Sequence, residues 1–435
     1  MRMKEGWKTY KLGDVAEVQN GFAFKSKDMG ETGIPVIKIK NIVSPNITLE
    51  GAGYYTGEIE AKLEKYILRR DDFLISMTGS TVNVMSSAVG KMGKYRLDDI
   101  ALLNQRVGKI YITDKAKADF DYLCHFLNRY DINYRLALNA TGSANQANIS
   151  PAQIKDLDLL LPSLQEQRSI ASILSALDDK IELNLQINKT LEDMAMALYK
   201  HWFVDFGPFQ NGEFVDSDLG MIPKGWEVKR LGDIVESLSK GTTPRMKDVE
   251  GLDVDVPFLK VKDVNDDGSI KYAGIDYIPK SVHEKHLKRS MLLTNDILFS
   301  IAGTIGRVAI VSEQLNNSNC NQALAFVRLK NKKSHLPLVY FWFKDRTTQN
   351  EISSSVVQGV QANVSLTVLK DLQLVLADTK DMECFNKKMT PILNLIFSGR
   401  TENQTLIALR DTLLPKLISG EVRVKDLKQT VAQVL

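Results

Sequence analysis

The stretch WKTYKLGDVAEV (7–18) returns as WEVKRLGDIVES (226–237), and that return governs how the rest of the chain is read. Outward from it, IPVIKIKNI (34–42) is matched by VPFLKVKDV (256–264), and DFLISMTGS (72–80) by DILFSIAGT (296–304). Asn104-Gln105 answers to Asn321-Gln322, and QANIS (146–150) to QANVS (361–365), each followed by Lys-Asp-Leu at Lys155 or Lys370. The offset between matched blocks moves from 219 through 224 and back to 215, so the order is kept and insertions are local. One unit is written twice.

Within each copy the first 150 or so residues read mainly as strands. VIKIKNI and FLKVKDV alternate with period two, lysines on one face, while DFLISM and DILFSIA are short apolar runs of the kind found in buried strands. Clusters such as DVNDDGS (263–269) supply turns. The last part of each copy changes period. From Gln165 to Phe203 there is no Gly or Pro, and Ile170, Leu174, Leu177, Ile181, Asn184, Asn188, Leu191, Ala195 and Leu198 recur at spacings of four and three. That heptad seam predicts a long helix packed on a partner helix. At an offset of 215 the second copy offers Phe385, Met389, Ile392, Ile396, Gly399, Asn403, Leu406, Arg410 and Leu413, so the partner is expected in the same chain. Thr390-Pro391 reads either as the start of the second helix or as a kink within a longer one.

The fold class expected is α+β: two β-rich α/β domains joined by a long antiparallel two-helix coiled coil, as a pseudo-two-fold internal repeat. The expected divisions are a domain at 1–163, a long helix at 164–206, a linker rich in Gly and Pro at 207–225, a second domain at 226–379, and a helix with tail at 380–435. Helices of roughly 38 residues would be about 57 Å long at ~1.5 Å per residue. Run antiparallel, they would hold two similar, non-identical domains at a fixed separation, which is what reading a split, asymmetric DNA site requires.

Composition narrows the function classes. The net charge of +3 is small, but residues 1–163 carry +3 and 226–379 carry +2, with −3 over 164–205 between them. No run approaches the ~18 apolar residues of a membrane span, and MRMKEGWKTY lacks a secretory apolar stretch, so a cytoplasmic protein is expected. Cys124, Cys320 and Cys384 are isolated, and His283 and His286 have no second ligand pair, so neither a disulfide framework nor a metal site is expected. The chain has no Pro-Pro dipeptide, hence no DPPY or NPPY methyltransferase loop, and no GxxxxGK[ST] or HExxH. No catalytic set can be assembled, which points away from an enzyme.

The chain resembles the specificity subunits of type I restriction-modification systems. The resemblance rests on LGDV and LGDI after a Trp, on LPSLQEQRSIASIL and ALYKHWFVDFGPF, on SDLGMIPKGWEVKRLGDI, and on LLPKLISGEV, and it covers residues 7–424. It implies two target-recognition domains, each reading half of a bipartite double-stranded DNA sequence. It implies as partners two adenine-modification subunits that use S-adenosylmethionine, and restriction subunits that use ATP and Mg, with no cofactor on this chain. It places docking to those partners on the helices, for which Gln165, Gln167, Trp202, Phe203, Leu414 and Lys416 are the candidates; core packing is the competing reading for Trp202-Phe203. A protein-binding scaffold without DNA binding, and a reader for a methyltransferase without a nuclease, are the alternatives.

DNA-binding candidates follow from side-chain type. Lys38, Lys40 and Asn41, with Lys260 and Lys262, would alternate along one strand and grip adjacent phosphates, or else form a plain solvated face. Thr78 and Ser80 around Gly79, and Thr304 after Gly303, follow a buried strand where glycine permits close backbone approach, with Lys91 and Arg307 adding charge. A simple structural turn gives the same letters. Asn104-Gln105 and Asn321-Gln322 are expected to be scaffold, since both copies keep them. The polar run TGSAN (141–145) adds Ser143 and Asn145.

Overall fold

The computed structural model describes residues 6–87, 89–143, 146–355 and 362–424, the side chains of Ser143 and Met246 aside. Two compact units result, Met1–Ile181 with Leu406–Leu435, and Glu182–Thr405.

In the first unit, strand Lys8–Lys11 lies antiparallel to Asp158–Leu161, with Lys8 opposite Leu161. The opening of the copy is therefore hydrogen-bonded to the residues that lead into the long helix. Between them stands a six-stranded sheet, ordered Ala16–Asn20, Val107–Ile112, Phe73–Ser76, Met92–Lys94, Asn46–Ile47, Ile42–Val43. A five-stranded sheet is centred on Ile34–Ile37 and Ala101–Leu103, which pair in parallel. Phe73–Ile75 is an unbroken apolar run because both faces of the strand are covered. Phe73 and Ile75 join the core beneath helices Phe120–Leu127 and Tyr130–Leu138, while Leu74 packs with Ile37, Ile42 and Leu103 on the other side.

The second unit repeats the plan. Glu227–Arg230 pairs antiparallel with Gln373–Leu376, and Val256–Leu259 pairs in parallel with Asn319–Cys320. The sheet order Val235–Lys240, Leu324–Leu329, Ile297–Ser300, Val308–Ile310 reproduces the first four strands of the larger sheet. Even the turn into the buried strand is copied. Asp71 (φ 72°) and Asn295 (φ 69°) are both left-handed, a region that Asn and Asp tolerate best among side-chain-bearing residues. The next residues, Asp72 and Asp296, accept hydrogen bonds from the Arg69 and Leu293 amides at 2.9 and 2.8 Å.

Each long helix runs 40 residues, Leu164–Phe203 and Thr379–Ile418. Ser163 Oγ accepts from Glu166 N, and Asp378 Oδ1 from Asp381 N, so both helices begin at a side-chain cap. Pro391 lies inside the second helix; the start is at Thr379 because Asp378 caps it there and Phe385, Met389 and Leu393 are buried. The helices are antiparallel within each unit. In the first, Ile170 and Leu174 pack with Leu413 and Leu417. In the second, Ala195, Tyr199, Trp202 and Phe203 pack with Phe385, Met389 and Ile396.

The seam carries polar positions that meet specific partners. Asn184 Nδ2 donates to Asn403 Oδ1 at 2.9 Å and to Glu402 Oε2 at 2.8 Å. Asn188 lies against Gly399, where an added Cβ would stand 2.7 Å from Asn188 Oδ1. A shift of 215 converts Asn184 into Gly399 and Asn188 into Asn403, so one pair of repeat positions meets twice. Charges also bind helices to domains in each unit, at positions that the repeat does not share. In the first unit Asp178 pairs with Arg410 at 2.9 Å and faces His125 at 3.8 Å; in the second Glu192 receives both Arg400 at 2.7 Å and Lys344 at 3.1 Å.

Three docking candidates are occupied inside the protein. Gln167 is fully buried, accepting from Asp119 N and donating to the Lys117 and Pro162 carbonyls, so it ties helix to domain and offers nothing to a partner. Trp202 and Phe203 are packed on Phe385, with ring centroids 5.7 and 4.9 Å away, and Phe203 also meets Trp226 at 5.2 Å. The segment 207–225, expected as a plain linker, carries a short hairpin pairing Phe214–Val215 with Ile222–Pro223, and Phe206 and Phe209 seat on Trp226. Among the described residues no helix is long and apolar enough to cross a membrane, and no cluster of three or more His, Cys, Asp or Glu could hold a metal.

Trp202→Ala is expected to destabilise the second unit by about 3–5 kcal/mol, the range for emptying a large aromatic from a core. Urea unfolding of the isolated chain measures it, and an unchanged midpoint would return Trp202 to the docking candidates. Burial pushes the His125 pKa down from 6.5 against the opposing pull of Asp178. The unfolded chain then binds the proton more readily, so the first unit is at full stability above pH 6.5 and loses it as pH falls through that value. His125→Gln should flatten this dependence between pH 7.5 and 5.5, as thermal melts at stepped pH would record.

Candidate nucleic-acid interface

The lysine-bearing segments do not continue as strands. In both copies the strand ends, and a single 3₁₀ turn follows, Ile39–Asn41 and Val261–Asp263. The turn is locked by its last residue. Asn41 Oδ1 accepts from Lys38 N at 3.0 Å and Asp263 Oδ2 from Lys260 N at 2.7 Å, both side chains being buried. Burial raises the Asp263 pKa. Asn41 is therefore a turn lock rather than a DNA contact, and the predicted alternation of Lys38 and Lys40 along a strand is corrected to two positions on a turn.

The two copies set these cations differently. Lys260 and Lys262 share Asp276, at 2.9 and 3.1 Å, and hold its carboxyl below the ordinary range, Lys260 foremost. Lys38 is half-buried and Lys40 exposed, and among the described residues neither meets a carboxylate. Arg307 is likewise neutralised, its Nε donating to Asp266 Oδ1 at 2.6 Å.

The glycine segments meet the QAN segments, which sequence reading did not join. Thr78 lies opposite Asn148 and Gly79 opposite Ala147, and in the second copy Ala302 bridges Asn363. Thr78 is buried with Oγ1 donating to Asn148 Oδ1 at 2.7 Å, so it is withdrawn as a DNA contact; it staples two loops. Ser80 is also engaged, its hydroxyl 2.7 Å from that of Ser87. Thr304 is exposed and its carbonyl accepts from Ser300 Oγ. Ser143 lies in strand Thr141–Ser143, opposite Gln146. Asn145 lies outside the described residues. Asn104 Oδ1 accepts from Arg106 N and Asn321 Oδ1 from Ala323 N, which makes both of them turn formers.

What the fold does bring together is Lys40 and Lys91. They line one open groove of about 400 Å³ with Ser44, Ser86 and Ser87. The Lys91 ammonium contacts the Ser86 carbonyl, and burial lowers its pKa. Ser44, Ser86 and Ser87 were missed; the signal for the last two was the offset falling from 224 at Asp72/Asp296 to 217 at Asn104/Asn321. Of the remaining docking candidates, Gln165 is exposed beside Arg168, Ser169 and Ser172, Lys416 is half-buried, and Leu414 packs partly against the first core.

The comparisons with known proteins agree with this doubled architecture. The family model described as "Type I restriction modification DNA specificity domain" matches residues 4–193 and again 223–404. The chain is similar to the type I restriction enzyme MjaIX specificity subunit of Methanocaldococcus jannaschii, 25% identical over 98% of this chain and 96% of that protein. It is also similar to the EcoBI specificity subunit of Escherichia coli, 26% identical over 97% and 87%. In fold it resembles the crystal structure of a type I restriction-modification system S subunit from M. genitalium, with a TM-score of 0.57 at 13% identity, covering 96% of this chain and 98% of that one. Because two successive parts of the sequence match the same model and fold alike, the chain belongs to the type I restriction-modification DNA specificity family and carries two of its domains in tandem.

Proposed function

We propose that this protein reads DNA for a type I restriction-modification complex as a non-catalytic subunit, each domain contacting one half of a bipartite, asymmetric target. The observation that carries the reading is the contrast between a copied scaffold and an uncopied surface. Turn locks, strand order and the aspartates at the strand entry recur in both units, whereas the cations above them are paired with carboxylates in one and not in the other. Two identical readers would call for a palindrome; two that share a frame and differ at its rim suit two different half-sites. In this reading the antiparallel helices set the half-site spacing. Two modification subunits dock beside them through exposed positions such as Gln165, and restriction subunits join for cleavage. Methyl transfer to a flipped adenine, with its S-adenosylmethionine, belongs to the modification subunits, and ATP and Mg to the restriction subunits. The remaining DNA-contact candidates are Lys38, Lys260, Lys262, Thr304 and Ser143.

Mapping methylated adenines across a genome with and without this chain should return one two-part motif that vanishes with the chain. Replacing residues 226–379 by the corresponding domain of a relative should alter one half of the motif and leave the other and the spacing intact. Loss of both halves with the complex still assembled would contradict independent reading, and a motif independent of this chain would favour a protein-binding scaffold.

A further inference from the structure

The two copies diverge most clearly at one loop beside the lysine groove, and the divergence can be anchored atom by atom. Lys91 N donates to Ser76 Oγ at 2.9 Å, and Arg307 N to Ser300 Oγ at 2.7 Å; the preceding Gly90 and Gly306 amides donate to the same residues' carbonyls. Lys91 and Arg307 are thus equivalent, as are Ser76 and Ser300. Residues 77–89 separate the first pair of anchors and only 301–305 the second, so the first copy carries eight additional residues. The longer loop is held shut by its own bonds, Ser80 N to Ser87 O at 2.9 Å and Val89 N to Ser80 O at 3.0 Å, and by Asn133 Nδ2 on the Val89 carbonyl.

The consequence is electrostatic. In the second copy the equivalent cation is spent on Asp266, and Lys260 and Lys262 on Asp276. In the first copy the extra loop meets Lys91 only with the Ser86 carbonyl, leaving two of three ammonium protons for another acceptor. The groove that it walls has an apolar floor of Ile39, Ile42 and Val43, with Lys40, Lys91 and serine hydroxyls as its polar groups, and among the described residues no carboxylate lines it. Two unneutralised ammonium groups beside hydroxyl donors suit a row of phosphate oxygens.

We infer that the 77–89 loop makes the first domain the phosphate anchor of the protein: its groove grips the DNA backbone of one half-site through Lys40 and Lys91, while the equivalent cation of the second domain, Arg307, and its turn lysines contribute little counterion release. This rests on the DNA-reading function proposed above, and the two can fail separately.

The test uses the assembled modification complex and a duplex carrying the methylation-mapped site, with affinity measured across a salt series. Each phosphate contact adds about 0.9 to the slope of log affinity against log salt. The Lys40→Ala/Lys91→Ala pair should lower the slope by about 1.8, so that the loss of affinity between 50 and 200 mM salt shrinks about tenfold. Lys262→Ala/Arg307→Ala should leave the slope within about half a unit of the wild type. An equal fall in both variants, or no change in the first with its thermal melt intact, overturns the anchor. A wild-type complex that does not retain the mapped duplex at low salt overturns the DNA reading itself. Ser86→Ala, which leaves the backbone carbonyl in place, controls for loop misfolding and should keep the wild-type slope; a fall in it would assign the effect to loop structure and reject the lysine contacts.

Discussion

The antiparallel pairing of half of one long helix with half of the other is the constraint on which both units depend. Neither β-rich domain closes its core alone. Ile170, Leu174, Leu413 and Leu417 complete the apolar cluster of the first, and Trp202, Phe203, Phe385 and Ile396 that of the second. Burying apolar surface is the largest favourable contribution to folding, and here part of it is supplied by residues more than 200 positions distant in the chain. The final helix is consequently as integral to the first domain as the first domain's own strands.

Polar groups along the same helices decide which apolar surfaces meet. Asp178 with Arg410 and Glu192 with Arg400 and Lys344 are partly buried, so a slipped register would leave charges desolvated without partners. Asn184 on Asn403, and Asn188 against Gly399, act in the same sense, one by a hydrogen bond and one by the absence of a Cβ. The cost of such groups in raw stability is offset by a single allowed alignment.

Duplication explains how a surface can vary above a constant frame. The frame residues are those whose side chains hold a backbone amide at a matched place in each copy: Asn41 and Asp263 closing the same turn, Asp72 and Asp296 the same strand entry, Ser76 and Ser300 the same loop exit. Rim residues carry no such obligation. There the copies differ in length and charge pairing, at the 77–89 loop and around Asp266 and Asp276.

The repeat, the strand-rich character of each copy, the heptad seam and its intrachain partner were all legible in the sequence, because each is a periodicity or self-match that local chemistry imposes on the order of residues. Several site assignments were not. Lys38-Ile39-Lys40-Asn41 reads as alternation, yet Asn41 turns inward to satisfy the Lys38 amide, and a buried amide's need for an acceptor outweighs strand propensity over four residues. Thr78, Gln167, Trp202 and Phe203 could be read in one dimension either as functional groups or, for Thr78 and Trp202-Phe203, as turn and core residues, and in three they prove to be fasteners. Their partners Asn148, Lys117 and Phe385 lie 70, 50 and about 180 residues away. The sequence by itself determined that two like domains share one chain with two seam-forming helices. Only the tertiary structure decided which cations are neutralised and which remain free, because a charge's environment is set by neighbours that folding, not succession, brings within reach.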